Sequence, residues 1–213
     1  GSMALQILIG NPQVDYTSRV YIDSIRIQSS IRSRGDTCSF DIHVSTPTEV
    51  AEIDVAKEVT IYDNGIKEYG GVIQFTEQDE ITGTGVFRIK VNCQDYTAWL
   101  DQHLVNYISP SDPPTVDASD LLISVIGSGT GGSALVSGGN SSTDTGVNHW
   151  GLFNATLVGS GGHIQVSNVQ VSPQVINYQI PSTVIDNIAG MANYQWYIDY
   201  NRYIHFFKLE DNP

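Results

Sequence analysis

The sequence predicts a mainly β protein, in which a small N-terminal β-barrel is followed by an α+β module with short helices and a C-terminal aromatic hairpin. Short runs of alternating polar and apolar residues, separated by turn residues, extend from the N-terminus to Cys93, as in all-β sandwiches and barrels. After Cys93 the apolar spacing becomes helical, and the last third returns to strands. We therefore expect a barrel domain over 1–95 and an α+β module over 96–213.

The first module contains runs whose length and residue types are typical of β-strands. They are 4–9, 20–28, 37–44, 58–63, 69–78 and 85–93. Asn64-Gly65 predicts a tight hairpin turn, because this pair readily adopts the positive φ angles that such turns need. In the run 20–28 neither alternating face is cleanly apolar, which predicts an edge or interface strand.

The second module begins with two predicted short helices, one over 96–104 and one after Asp117, in which apolar residues recur at helical spacing. Between 127 and 162 the chain is rich in Gly, Ser, Thr and Asn, which predicts a flexible excursion or a mobile lid. The apolar islands of this tract, 134–136 and 150–158, are candidates for a small hairpin.

The last third predicts strands at 163–171 and 175–180, followed by a helix that begins at Pro181. Thr183 and Asp186 fit a capping box, and Asn193 marks the end of this helix. The aromatic-rich fragment 193–207 alternates in character and turns once. We interpret it as a hairpin core packed on the helix, in preference to a ligand-stacking surface.

Composition excludes several classes of function. The net charge is −13 and no Lys/Arg-rich run occurs, so sequence-specific nucleic-acid binding and binding to anionic membranes are not expected. No charged-then-apolar leader and no apolar run of about 18 residues is found, which predicts no membrane span and synthesis in a cytoplasm. Cys38 and Cys93 stand in strand-like runs and are predicted to be buried free thiols.

Motifs that could carry chemistry lack the context that the chemistry needs. The G-x-G-x-x-G match at 127–132 follows a helix and opens a polar tract, so it does not predict a nucleotide site. The tripeptide at 34–36 has the plain composition of a turn. The carboxylates Glu77, Asp79 and Glu80 fall at a hairpin tip, where we expect solvation. The histidines show no metal-ligand spacing. The sequence predicts no catalytic, cofactor-binding or metal-binding residues, and no enzyme.

Four segments taken together resemble phage tail baseplate hub proteins, which are related to the hub proteins of contractile injection machines. The segment 59–74 is similar to their strand, hairpin turn and Gly-Gly return, and 89–105 is similar to the strand-to-helix step that leaves the first barrel. The other two segments are 34–42, a turn and strand, and 181–207, a helix with an aromatic hairpin.

The resemblance implies a structural virion protein of the tail tip, a hub component that joins the tail tube to a spike or fibre and helps form the DNA conduit. It implies a tube-like barrel with an inserted α+β module, assembly as a trimer, tail and baseplate proteins as partners, and a place in the virion tail after assembly in the host cytoplasm. Because no second barrel follows Phe207, we expect either an N-terminal fragment of such a hub or a different part of the tail tip.

Two alternatives stay open at this point. One is a distal tail or receptor-binding component, in which Trp150 or Trp196 contacts a host saccharide. The other is a carbohydrate-active or peptidoglycan-degrading enzyme that uses Glu77 and Asp79 as paired carboxylates.

Overall fold

The structure is a computed structural model with two compact units, Gly1–Trp99 and Leu100–Pro213. It describes residues 4–10, 12–29, 35–81, 83–102, 104–108, 114–126, 135–136, 153, 155 and 157–211. The predicted G-x-G-x-x-G match at 127–132 and most of the predicted excursion at 127–162 lie outside the described residues. No described helix has the length and apolar character needed to cross a membrane.

The first unit is a curled, seven-stranded half-barrel sheet with the order β2-β1-β5-β6-β7-β4-β3. Its neighbouring strands are all antiparallel. The strands are β1 Leu5–Ile9, β2 Val14–Asp15, β3 Val20–Gln28, β4 Thr37–Val44, β5 Glu58–Asp63, β6 Ile66–Ile81 and β7 Val86–Gln94. Among the described residues, the short helix α1 Pro47–Glu52 accompanies them, and α2 Thr97–Leu100 follows β7. The predicted mainly β class is confirmed.

The core of this unit follows from the alternation of its strands. In β4, every second side chain is buried, and the buried set is Cys38, Phe40, Ile42 and Val44. Cys38 and Cys93 lie directly opposite each other in the β4–β7 ladder. Both are buried free thiols, as predicted. Burial raises the pKa of Cys38 to about 12, so this thiol stays protonated at neutral pH.

The strand β3 lies at one end of the sheet, so the predicted edge strand is confirmed. A bulge interrupts its pairing with β4 between Tyr21 and Arg26. Within the bulge, the Ser24 hydroxyl donates a hydrogen bond to the carbonyl oxygen of Tyr21 at 2.5 Å and accepts one from the Asp41 N–H at 2.7 Å. A side chain therefore replaces the missing ladder bonds at this point.

In its described part, the second unit combines small sheets with the helices α3 Ala118–Ile126 and α4 Pro181–Ala192, which pack against each other. Its sheets have the orders β10-β8-β13, β11-β15-β14 and β12-β9. The strands are β8 Val105–Ile108, β9 Val116–Asp117, β10 Leu135–Val136, β11 His163–Ile164, β12 Gln170–Val171, β13 Val175–Gln179, β14 Gln195–Ile198 and β15 Ile204–Phe207.

Several predicted elements of this unit are corrected. The helix predicted over 96–104 covers only Thr97–Leu100, and the next element, the strand β8, begins at Val105. The predicted strand 163–171 is divided into β11 and β12, which belong to different sheets. The described part of 134–136, β10, pairs with β8. Most of 150–158 lies outside the described residues, so the hairpin predicted between these two islands stays a prediction.

The capping box predicted for α4 is wrong, although the predicted end of this helix is confirmed. Because Pro181 occupies the first helical turn, the N-cap is Ile180, and Thr183 lies inside the helix without a capping role. The Asp186 carboxylate instead accepts a hydrogen bond from the Trp196 indole N–H at 2.8 Å. Asn193 ends the helix in the left-handed conformation, with φ 57°.

Asp117 holds together two segments of the second unit that are distant in sequence. Its Oδ1 accepts hydrogen bonds from the backbone N–H and hydroxyl of Ser119, at the start of α3, and from those of Ser167. Burial raises the pKa of Asp117, but these hydrogen bonds outweigh it and hold the pKa below its usual range. Its ionised form is therefore the form that the fold stabilises.

We expect Asp117→Ala to lower the free energy of unfolding by about 2 kcal/mol at neutral pH, because it removes a helix-terminal acceptor and leaves buried donors unsatisfied. A depressed folded pKa gives stability that is present above the unfolded pKa of about 4 and is lost as pH falls through the folded value. Urea unfolding should thus show the difference between wild type and variant shrinking below about pH 4. Glu210→Gln, at an exposed carboxylate of the same unit, is the control and should change little. An undiminished difference at low pH would contradict the assignment.

Candidate functional site

The two edges of the half-barrel sheet expose apolar side chains. Ile22 and Ile27 on β3 are 59% and 38% exposed, and Val14 on β2 is 45% exposed. Neither edge is paired with another strand among the residues that the structure describes. Unpaired edges with exposed apolar side chains are suited to strand pairing with another chain.

An ion pair and a ring contact fix the β3 edge to the sheet behind it. The Arg88 guanidinium on β7 donates two hydrogen bonds to Asp41 Oδ2 on β4, at 3.0 and 2.6 Å. The same guanidinium lies over the Tyr21 ring of β3, 4.3 Å from its centroid. His43 meets the Tyr21 ring edge-on at 5.6 Å. The side chains of three adjacent strands therefore hold the edge in one position.

The paired carboxylates of the enzyme alternative lie on an exposed sheet surface. Glu77 and Asp79 lie on the long strand β6 and are both exposed. In the β6–β7 ladder they stand opposite two cations, Glu77 across from Lys90 and Asp79 across from Arg88. Such cross-strand pairing of opposite charges is typical of a solvated sheet surface. The side chain of Glu80 is outside the described part.

The Gly-Asp part of the tripeptide at 34–36 leads directly into β4 and is hydrogen-bonded to the chain beyond β7; Arg34 lies outside the described residues. The Gly35 N–H donates a hydrogen bond to Asp95 Oδ2 at 2.7 Å, and the Asp95 N–H donates one to the Asp36 carbonyl oxygen at 3.0 Å. Gly35 has φ 113°, a conformation that side chains disfavour. The turn predicted for the tripeptide stays a prediction, because the residues before Gly35 lie outside the described part.

The aromatic hairpin β14–β15 presents two faces with different roles. Its inner face buries Tyr194, Trp196, Ile198 and Phe206, and Tyr194 packs on Phe206 with ring centroids 4.8 Å apart. Trp196 is only 5% exposed and its indole N–H is bound to Asp186 on α4. The hairpin-core interpretation therefore holds for this face, and Trp196 does not offer a saccharide platform. Trp150, the other tryptophan of that alternative, lies outside the described residues.

The outer face of the same sheet carries a stack of rings. Tyr197, His205 and His163 lie side by side on β14, β15 and β11, because the registers place them directly opposite one another. His205 is held between the other two rings, with centroids 4.3 Å from Tyr197 and 4.2 Å from His163, both nearly parallel. Tyr203 meets the His163 ring edge-on at 5.0 Å.

Asp199, at the turn that follows β14, completes this cluster. Its Oδ2 lies 2.7 Å from His205 Nε2, while its Oδ1 accepts hydrogen bonds from the backbone N–H groups of Asn201 and Tyr203 at 2.8 and 3.0 Å. Burial raises the pKa of Asp199, but the hydrogen bonds outweigh it and keep the pKa below its usual range. The carboxylate is ionised and fixed in position at neutral pH.

The cluster could not be found from sequence spacing. His163 is distant in sequence from Asp199 and His205, and the two-residue strand β11 brings it to them through parallel pairing with β15. The one signal was the polar pattern within the hairpin itself, where Asp199 and His205 flank the turn. An imidazole–imidazole–carboxylate set is chemically able to bind a metal ion or to hold a proton, which the expectation of no metal ligands did not anticipate.

The fold is similar to that of known tail proteins. A tail protein from Neisseria meningitidis MC58 matches 100% of this chain and 53% of its own length, with a TM-score of 0.58 and 10% identity. The 43 kDa tail protein of prophage MuSo2 from Shewanella oneidensis matches 97% of this chain and 53% of its own length, with a TM-score of 0.58 and 11% identity. A chain of the Francisella PdpA-VgrG complex matches 96% of this chain and 28% of its own, with a TM-score of 0.50 and 10% identity.

These likenesses concern the fold alone, since about a tenth of the aligned residues are identical. The resemblance to tail-tip proteins seen in the sequence is confirmed at that level. The chain spans about half the length of the two tail proteins. No family model matches the sequence, and no curated protein matches it.

Proposed function

We propose that this chain is a structural component of a phage-type tail tip, namely part of the baseplate hub that joins the tail tube to a spike or fibre. The observation that carries the proposal is the likeness of fold to two tail proteins over 100% and 97% of the chain. A chain of the solved Francisella PdpA-VgrG complex also has a similar fold, so the likeness is not limited to the two tail proteins.

In this proposal residues 1–95 form the tube-like domain, and residues 96–213 form the inserted α+β module. The exposed edges β2 and β3 join neighbouring copies, so that the half-barrel sheets line up around a ring, and the hub is a trimer. The apolar side chains Val14, Ile22 and Ile27 would be covered in that contact. Exposed edges of this kind support an assembling protein more than a monomeric one.

The charge of the chain suits a conduit for DNA. A net charge of −13 at neutral pH repels the phosphate backbone, so that DNA would pass the wall without adhering to it. The protein would reside in the virion tail after assembly in the host cytoplasm, with tail and baseplate proteins as its partners. Neither alternative function is favoured by a specific observation. Trp196, the described tryptophan of the saccharide-binding alternative, is buried. Glu77 and Asp79 of the enzyme alternative stand opposite cations in the sheet.

The edge contact can be tested by changing Ile22 to lysine in the native tail. We expect Ile22→Lys to reduce the number of assembled tail tips by at least about ten-fold, because burying an unpaired ammonium in an interface costs more than the ~1.4 kcal/mol that corresponds to this factor. Assembly is counted by electron microscopy of purified particles, which also locates the protein within the tail.

Ile66→Lys is the matched control, since Ile66 is 65% exposed at the β5–β6 hairpin and away from both edges. It should leave assembly unchanged, and both variants should retain the thermal unfolding temperature of the wild type. Normal tail tips with Ile22→Lys would exclude the β3 edge as the contact. Absence of the protein from the purified particle would reject the tail-tip function itself.

A further inference from the structure

We propose that His163, Asp199 and His205 bind one divalent transition-metal ion, of the class represented by Zn²⁺. Each residue offers one ligand atom, and these three atoms lie within 4.8 Å of one another. The site is independent of the tail-tip function proposed above. The ion would cross-link β11 to its sheet, in which β11 pairs with β15 at two residue positions.

Two of the three ligands are already in place. Asp199 Oδ2 and His205 Nε2 are 2.7 Å apart, so an ion inserted between them needs only a small separation of the pair. Zinc binds imidazole nitrogen at about 2.0–2.1 Å and carboxylate oxygen at about 2.0–2.2 Å, which places neighbouring ligand atoms of a tetrahedral ion roughly 3.4 Å apart. The three ligand atoms are now between 2.7 and 4.8 Å apart, so each distance is within about 1.5 Å of that value.

The third ligand has the freedom that the first two lack. His163 is exposed, whereas His205 is buried between two rings. Stacked imidazoles cannot both direct a ring nitrogen at one ion, because the lone pair of each lies in its own ring plane. His163 therefore leaves its parallel stack on His205 and turns its edge towards the ion. Its exposed position allows this rotation without disturbing the core.

Surrounding groups orient the ligands, as they do in known metal sites. The backbone N–H groups of Asn201 and Tyr203 fix Asp199 Oδ1, which leaves Oδ2 directed at the cluster. The Tyr197 ring packs flat against His205 and limits its rotation. Outer partners of this kind raise affinity by fixing ligand geometry before the ion arrives.

The donor set selects the class of metal. Imidazole nitrogens suit zinc, copper, nickel, cobalt and iron(II), while Mg²⁺ and Ca²⁺ prefer sites made of oxygen ligands. Three protein ligands leave a fourth position, which water would fill on this outer face of the sheet. The ion would then link β11 to the β14–β15 hairpin.

The test is the binding of Zn²⁺ to the full chain, without a polyhistidine tag and with Mg²⁺ in excess to cover the acidic surface. We expect one Zn²⁺ per chain by equilibrium dialysis with metal analysis, a higher thermal unfolding temperature that a chelator reverses, and shifted imidazole signals of His163 and His205 in NMR spectra. Loss of a ligand should cost more than the 10- to 100-fold typical of an outer partner, so His163→Ala should weaken binding by more than about 100-fold.

His43→Gln is the matched control, since His43 lies in the first unit beside Tyr21, and it should bind Zn²⁺ as the wild type does. Without metal, His163→Phe should unfold close to the wild-type temperature and should bind Zn²⁺ as weakly as His163→Ala, because it keeps a ring against His205 and lacks a ligand nitrogen. His205→Ala is the less decisive variant, since His205 is buried. Absence of saturable Zn²⁺ binding under excess Mg²⁺ would overturn the site, and so would His163→Ala binding as tightly as the wild type.

Discussion

Phe40→Ala is expected to lower the free energy of unfolding of the first unit by about 3–5 kcal/mol, because it deletes a fully buried ring and leaves a cavity. Phe40 is 1% exposed on β4, and its partner across the ladder, Val91, is 0% exposed. Continuous pairing of β4 with β7, from Thr37 to Val44, restricts the collapse that would refill the space. Chemical denaturation followed by circular dichroism measures the loss.

The matched control is Phe75→Ala in the same sheet. Phe75 is 47% exposed on β6, so its removal should cost less than about 1 kcal/mol. The pair separates the effect of burial from that of side-chain type. Equal losses for the two substitutions would show that the buried face of the sheet has been assigned wrongly.

Gly71→Ala is expected to destabilise the first unit by about 3 kcal/mol, since the added methyl group has no space. A Cβ atom built on Gly71 would lie 2.1 Å from the carbonyl oxygen of Gln94 and 2.6 Å from the Tyr69 hydroxyl oxygen. The first of these atoms belongs to the backbone of β7, so relief requires β6 and β7 to separate. Thermal and urea unfolding of the variant measure the cost.

Gly190→Ala provides the contrast, because Gly190 lies within α4 and a Cβ atom there would meet nothing within 4 Å. Alanine in a helix interior is about 0.5–1 kcal/mol more favourable than glycine, so this variant should be as stable as the wild type or slightly more so. If both alanines were tolerated equally, the close approach of β6 to β7 at Gly71 would be refuted.

The strands of the first unit could be predicted because their physical causes are local. Alternating burial along β4 and the Asn64-Gly65 turn between β5 and β6 are both visible in short windows of sequence. The predicted edge character of β3 also held, since an edge strand needs no clean apolar face. The same local reasoning gave the end of α4 at Asn193.

The helix α1 was missed although its start carries a recognisable signal. The Thr46 hydroxyl accepts a hydrogen bond from the Glu49 N–H, and the Glu49 carboxylate accepts one from the Ser45 N–H. Thr46 is thus a side-chain N-cap followed by proline at the first helical position, and Glu49 reaches back to the residue before the cap. The helix has no buried residue, so no apolar stripe accompanied the signal.

The histidine cluster of the second unit was beyond prediction for a different reason. It depends on a parallel pairing between a two-residue strand and the hairpin, a contact between distant segments that leaves no periodic trace. The capping box predicted for Thr183 and Asp186 is also wrong because of a contact between separate segments. The tertiary partner of Asp186, the Trp196 indole, competes for the carboxylate that the local motif would have used.

The unequal edges of the half-barrel limit how copies can join. One edge is the two-residue strand β2, and the other is the nine-residue strand β3 with its bulge. A contact between unlike edges is heterologous, so each added copy presents a fresh edge to the next one. Such an assembly closes into a ring only when the rotation between successive copies is a whole-number fraction of 360°. The curl of the sheet, which contributes to that rotation, would then decide between a closed circle and an open helical filament.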